Sequence, residues 1–189
     1  MSSHHVVREK QEPALLVLGL DTFPQELLGQ LLEWSPTVIA TPKTAEKLIV
    51  NGIKVDWIIT NGTEDILQAD VKLMSAGDDN LTDAALEYLI SDEYPAVNIV
   101  TDELNLGNYL HFADKINLVI FHDHKKIYAV SPGFSKWKPG GETIELLSRA
   151  SSLEFTGLEK ISDQQYEIIK DGFFSLRFEE PFLFIAETP

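Results

Sequence analysis

The chain contains no cysteine. That absence excludes a disulfide framework, a thiolate zinc site, an iron–sulfur cluster and a cysteine nucleophile, and it leaves the redox compartment unreadable. Basic residues are also scarce, with 15 Lys+Arg against 30 Asp+Glu, a formal charge of −15 and a pI near 4.6. Nonspecific nucleic-acid binding needs clustered Lys and Arg to neutralise phosphates, and an anionic membrane surface needs the same, so both are argued against. No apolar run approaches the ~20 residues of a membrane span. The first ten residues lack the apolar core of a signal peptide, and a cytoplasmic location is the expectation. G-x-S-x-G, Walker A, H-E-x-x-H and the Rossmann glycine fingerprint are all missing, as is any internal repeat.

What remains is the composition of a folded globule: 189 residues, 44 % hydrophobic and 10 % aromatic. Residues 1–13 are polar and end in Pro13, which reads as a loose arm in which His4 and His5 are idle. From residue 14 short apolar runs alternate with helical periodicity. Strands are predicted at 14–20, 37–40, 55–60, 71–76, 97–101 and 118–121. Between them helices are predicted from Pro24, over 41–51, over 81–90 and, more weakly, over 104–113. Such alternation indicates βαβ crossovers and a mostly parallel sheet, here an α/β domain spanning 14–131.

The pattern then changes. His122–Lys126 separates two β-rich runs as a tight connection, and residues 131–141 carry five Gly or Pro in eleven, a boundary signal. Beyond it only short strand-like segments occur, and Lys170-Asp171-Gly172 reads as a hairpin turn. A small all-β sandwich is expected at 132–189, with too few residues to build a large core by itself.

Three blocks carry a family resemblance. Residues 77–90 (GDDNLTDAALEYLI) contain Asp78, Asn80, Thr82 and Asp83 in an Asp-x-Asp/Asn-x-Thr-Asp pattern ahead of a helix. Residues 51–60 place Asp56 at a strand entry, and 127–133 end a strand in Pro-Gly. In order and spacing they resemble thiamin pyrophosphokinase, an α/β domain joined to a β-sandwich. The resemblance implies a homodimer formed through the β-sandwich region, with Mg²⁺ and ATP as cofactors for diphosphate transfer to thiamin. Asp78 and Asp83 are implied as metal ligands and catalytic residues. Asn61, Asn80, Thr82, Ser162 and Trp137 are implied to touch the nucleotide or thiamin, with Ser162-Asp163 matched to the family's Ser-Asn.

The departures are as informative. Asn61 and Thr63 stand where the family has aspartates, Glu64 where it has serine, and Thr41-Pro42-Lys43 where it has Asp-Gly-Gly or Asp-Gly-Ala. No Gly-Gly-Arg loop follows the 97–101 strand. Diphosphate transfer depends on cations that neutralise developing charge, and Mg²⁺ depends on carboxylates. The resemblance therefore implies an impaired thiamin- or nucleotide-binding homologue. The alternatives are an active divergent enzyme and a non-catalytic dimeric interaction protein.

Residue chemistry leaves one choice open within the retained block. Asn80 or Thr82 caps a helix and the aspartates favour its positive end, or the same residues hold metal and nucleotide.

Overall fold

The structure, a computed structural model, describes residues 12–62 and 71–189. The expectations for His4, His5, Thr63 and Glu64 lie outside the described residues. Compactness divides the chain into two units, one through Leu118 and one from Val119.

The first unit is a parallel sheet with crossover helices. Its strands are β1 (Ala14–Val17), β2 (Val38–Ala40), β3 (Trp57–Thr60), β4 (Lys72–Ser75) and β5 (Ala96–Val100), in the spatial order β5-β1-β2-β3-β4. All four residues of β1 are 0 % exposed, so the unbroken Ala-Leu-Leu-Val run marks a central strand covered on both faces. Its neighbours pair in parallel, Leu15 opposite Val38 on one side and Ala14 opposite Val97 on the other.

Local signals place the helices. Helix α1 (Gln25–Leu32) follows Pro24 and buries Leu28. Helix α2 (Pro42–Val50) starts at a reciprocal cap, in which Thr41 Oγ accepts from the Thr44 amide while Thr44 Oγ accepts from the Thr41 amide. The Thr44 hydroxyl also donates to Val17 O at 2.7 Å, fixing the helix start to the end of β1. Helix α3 (Leu81–Ser91) is capped by Asn80, whose Oδ1 accepts from Thr82 N at 2.8 Å. Helix α3 buries Ala85, Leu86 and Leu89, three of the residues that carry its predicted apolar face.

The helix predicted over 104–113 is reduced to a single 3-10 turn, Leu106–Tyr109. Asn105 Oδ1 takes the Gly107 amide at 3.0 Å, and the following bonds, Phe112 N to Tyr109 O and Lys115 N to Phe112 O, keep the tighter i to i+3 spacing. Asn and Gly in this window compete with α-helical bonding, and burial of Tyr109 and Phe112 holds the segment without it.

The second unit is antiparallel. Strand β6 (Asn117–His122), which straddles the division, pairs with β7 (Lys125–Val130) through a two-residue loop in which Asp123 and His124 both have positive φ, 45° and 59°. That is the loop geometry matched to strand twist. One sheet runs β11 (Leu158–Lys160), β12 (Gln165–Ile168), β9 (Thr143–Leu146), β14 (Leu183–Glu187), β7, β6; a second holds β10 (Glu154–Thr156), β13 (Gly172–Arg177) and β8 (Phe134–Lys138). Ile144, Leu146, Tyr166, Ile168 and Ile185 of the first pack with Phe174 and Leu176 of the second in one core.

Two expectations change here. The Pro/Gly-rich stretch contains strand β8, which pairs with β13 from Phe134 opposite Leu176 to Lys138 opposite Gly172. The turn at Lys170-Asp171-Gly172 closes no hairpin: β12 pairs with β9 and β11, whereas β13 pairs with β8 and β10. A hairpin would align Tyr166 and Ile168 with Phe174 and Leu176 on one face, with no opposing layer to bury them. Crossing between sheets lets the two pairs cover each other, and Asp171 Oδ1 holds the turn by accepting from Gly140 N at 2.8 Å.

Candidate ligand site

In the first unit strand order reverses beside β1. The chain steps outward through β2, β3 and β4 and then returns to place β5 on β1's other side. Crevices at such reversals, beyond the carboxyl ends of the strands, are where open α/β sheets bind ligands. A cleft of about 630 Å³ lies there, lined by residues following β1 (Leu18, Asp21), β2 (Thr41, Lys43) and β5 (Thr101, Asp102, Glu103), by the start of α3, and by Asn105, Asn108 and Tyr109. Its size falls within the ordinary range of small-molecule sites.

Two of the three acidic groups that line the cleft, Asp102 and Asp21, are already engaged. The Asp102 carboxylate accepts the Asp21 amide on both oxygens at 2.9 Å and the Thr22 amide on Oδ1 at 3.3 Å. Gly19 makes this approach feasible, because a Cβ there would fall 2.5 Å from Asp102 N and Oδ2. The Asp21 carboxylate in turn pairs with Lys47 and, at 3.2 Å, with Lys43, and these two lysines hold it below the usual carboxylate range. Tyr109 is 2 % exposed, and its phenol is pushed up to about 12 by burial and by the charge of Asp83. It therefore keeps its proton at neutral pH and can donate a hydrogen bond.

The residues singled out in the sequence scatter. Asn80 and Thr82 line the cleft, and Asn80 is also the helix cap, so capping is one of its observed roles. Asn61 is exposed and donates from Nδ2 to Asp79 O at 3.2 Å, tying the loop after β3 to the loop after β4. Asp78 is exposed in that second loop. Asp83 occupies the first turn of α3, and its Oδ1 is buried with no hydrogen-bond partner among the described residues. Asp56 precedes β3 at the opposite end of the sheet. There its Oδ2 accepts from Val38 N at 2.9 Å and its Oδ1 from Lys54 at 2.7 Å, so it joins β2 to β3. Ser162 and Trp137 belong to the second unit. Ser162 Oγ accepts the Gln165 amide at 3.1 Å in the turn before β12, and Trp137 stands half exposed on β8.

Sequence reasoning did not select Asp21, Asn105, Asn108 or Tyr109. The signal available for Asp21 was position: it follows the most buried strand at its carboxyl end.

A parallel sheet with crossover helices and a crevice at its strand-order reversal makes the first unit an open α/β fold. More narrowly, the chain's fold is that of the thiamin pyrophosphokinases. The structure of thiamine pyrophosphokinase from Bacillus subtilis matches with a TM-score of 0.72 at 14 % identity, covering 94 % of this chain and 99 % of that one. Thiamin pyrophosphokinase from Candida albicans matches with a TM-score of 0.66 at 11 % identity, over 94 % and 90 % of the two chains. The yeast enzyme matches with a TM-score of 0.65 at 10 % identity, over 95 % and 87 %. No protein-family model matches the sequence, and no curated protein is a recognisable sequence relative. No helix among the described residues is long and apolar enough to cross a membrane.

Mg²⁺ calls for several oxygen ligands, carboxylates among them. Among the described residues no three His, Asp or Glu side chains converge to hold a metal. Asp102 serves backbone amides, Asp21 serves lysines, and Asp83 offers one unpartnered buried oxygen. This set does not fit the ion.

Proposed function

We propose that this chain is a thiamin- or nucleotide-binding protein on the thiamin pyrophosphokinase fold, impaired in Mg²⁺-dependent diphosphate transfer from ATP to thiamin. The observation that carries the reading is the engagement of Asp21 and Asp102, two of the three carboxylates that line the cleft, by lysines and backbone amides. Transfer of a diphosphate depends on cations positioned around the developing charge, so a site whose carboxylates are occupied this way favours binding over turnover.

The test incubates the purified chain with thiamin, ATP and MgCl₂ and follows thiamin diphosphate and AMP, alongside thermal melts. No product above the protein-free control is expected. A ligand present at about 100 times its Kd should raise stability by ~2.7 kcal/mol, a melting shift of roughly 5–11 °C for a chain of this size. Matched formation of thiamin diphosphate and AMP, abolished in Asp83→Asn, would overturn the proposal. It would establish the second reading, an active divergent enzyme, which the unpartnered Oδ1 of Asp83 favours.

Self-association through the β-sandwich is part of the proposal. Trp137 and Phe173 face each other across β8 and β13 and are 51 % and 71 % exposed, an aromatic pair of the kind interfaces cover. Sedimentation should give a dimer for the wild type and a shift toward monomer for Phe173→Ser. A monomeric wild type would remove this element.

A further inference from the structure

We infer that the cleft selects an uncharged, acceptor-rich ligand of the nucleoside class over a nucleoside polyphosphate. This rests on the reading of the cleft as the ligand site and goes further by assigning its charge preference and the residues that set it.

One lysine, Lys43, lines the cleft, and it is paired with Asp21, which Lys47 also holds. A polyphosphate would have to draw Lys43 away from that partner while facing Asp102 and Glu103, the second of which is exposed at the rim. Like charges at short range oppose such a ligand, and the opposition grows as water is excluded. What the cleft offers without competition is neutral. Asn80 and Asn105 have their side-chain oxygens fixed on the backbone amides of Thr82 and Gly107 at 2.8 and 3.0 Å. The group each leaves for a ligand is therefore its NH₂. Asn108 adds a third carboxamide, and Tyr109, almost wholly buried, adds a phenolic donor. Ring nitrogens, carbonyls and ribose hydroxyls accept hydrogen bonds from such donors without bringing charge. The residues that build this lining after β5 stand where the resemblance implies a Gly-Gly-Arg loop. A neutral donor set thus takes the place of a phosphate clamp.

The test measures calorimetric binding of adenosine, guanosine, cytidine and uridine to the full chain, and of their triphosphates with MgCl₂. At least one nucleoside should bind, with its triphosphate about tenfold or more weaker. Asn108→Ala and Tyr109→Phe should each weaken that nucleoside about fivefold, the worth of one hydrogen bond. Glu103→Lys, at the exposed rim, should tighten the triphosphate relative to the nucleoside by about tenfold, the direction that removing one opposing charge and adding an attractive one requires. A triphosphate binding as tightly as its nucleoside overturns the inference while leaving the cleft as the ligand site. Binding of thiamin but of no nucleoside also overturns it. No response to any nucleoside, triphosphate or thiamin overturns both.

Discussion

Phe174→Ala is expected to destabilise the protein by about 3–5 kcal/mol, the range for removing an aromatic ring from a closed core. Phe174 is 0 % exposed on β13, 5.9 Å between ring centroids from Phe134, and belongs to the core shared by both sheets of the second unit. Its neighbour Phe173 is 71 % exposed on the protomer, so, at concentrations where the chain is monomeric, Phe173→Ala should change stability by no more than about 0.5 kcal/mol. Urea denaturation of the two variants side by side checks the register as well as the burial. Strand side chains alternate between faces, and a slip of one residue would exchange the two results. Equal losses would show that β13 is misplaced.

Glu187→Gln should be the next most damaging change, at about 3 kcal/mol. The Glu187 side chain is 4 % exposed. Its Oε1 accepts from Lys136, and its Oε2 lies 3.1 Å from Lys138 Nζ as a close ion contact. Lys138 is itself 7 % exposed and pairs also with Glu142, which keeps the loss at the lower end for a broken buried pair. Burial alone would raise the Glu187 carboxyl, but bonding to Lys136 and Lys138 outweighs it and holds the group below its ordinary value of 4.5. A depressed carboxyl stabilises the fold above its unfolded value, and that contribution fades as pH falls through the folded one. The wild type should therefore exceed Glu187→Gln by a constant margin from neutral pH down to about 4.5, and the margin should shrink in more acid solution. Lys138 is shifted upward against its burial penalty by Glu142 and Glu187, so its share is present below 10.5 and is lost in stronger base. A stability difference between the two proteins that does not change with acid would disprove this account of the pair.

Much of the first unit was legible in the chain because its signals are local. The unbroken apolar run at β1 marks a strand with both faces covered. Thr41-Pro42 and Asn80 carry the caps of α2 and α3 in side chains that reach only two or three residues along the backbone. Alternation of strands and helices conveyed the parallel sheet. The errors fall where local and distant preferences conflict. Strand β8 lies within a Gly/Pro-rich stretch, and its inward positions include Lys136 and Lys138, charges that read as solvent-facing until Glu187, in the opposite sheet, is placed against them. The 170–172 turn has hairpin chemistry, yet core formation requires the two flanking strands to lie in different sheets.

The candidate site was legible only in part for the same reason. Asn80 and Thr82 sit in a motif that can be read along the chain. Asp102 cannot be read that way, because the amides of Asp21 and Thr22 that occupy its carboxylate are 81 and 80 residues distant in sequence. By itself, the sequence determined the alternation of elements, the helix caps and the acidic balance, all properties of residues or of short windows. Tertiary structure alone decided which acidic groups are engaged, which side-chain amides line the cleft, and where the strand order reverses to make it. Those depend on contacts between segments far apart in the chain, and such contacts form only when the apolar strands are brought together and buried.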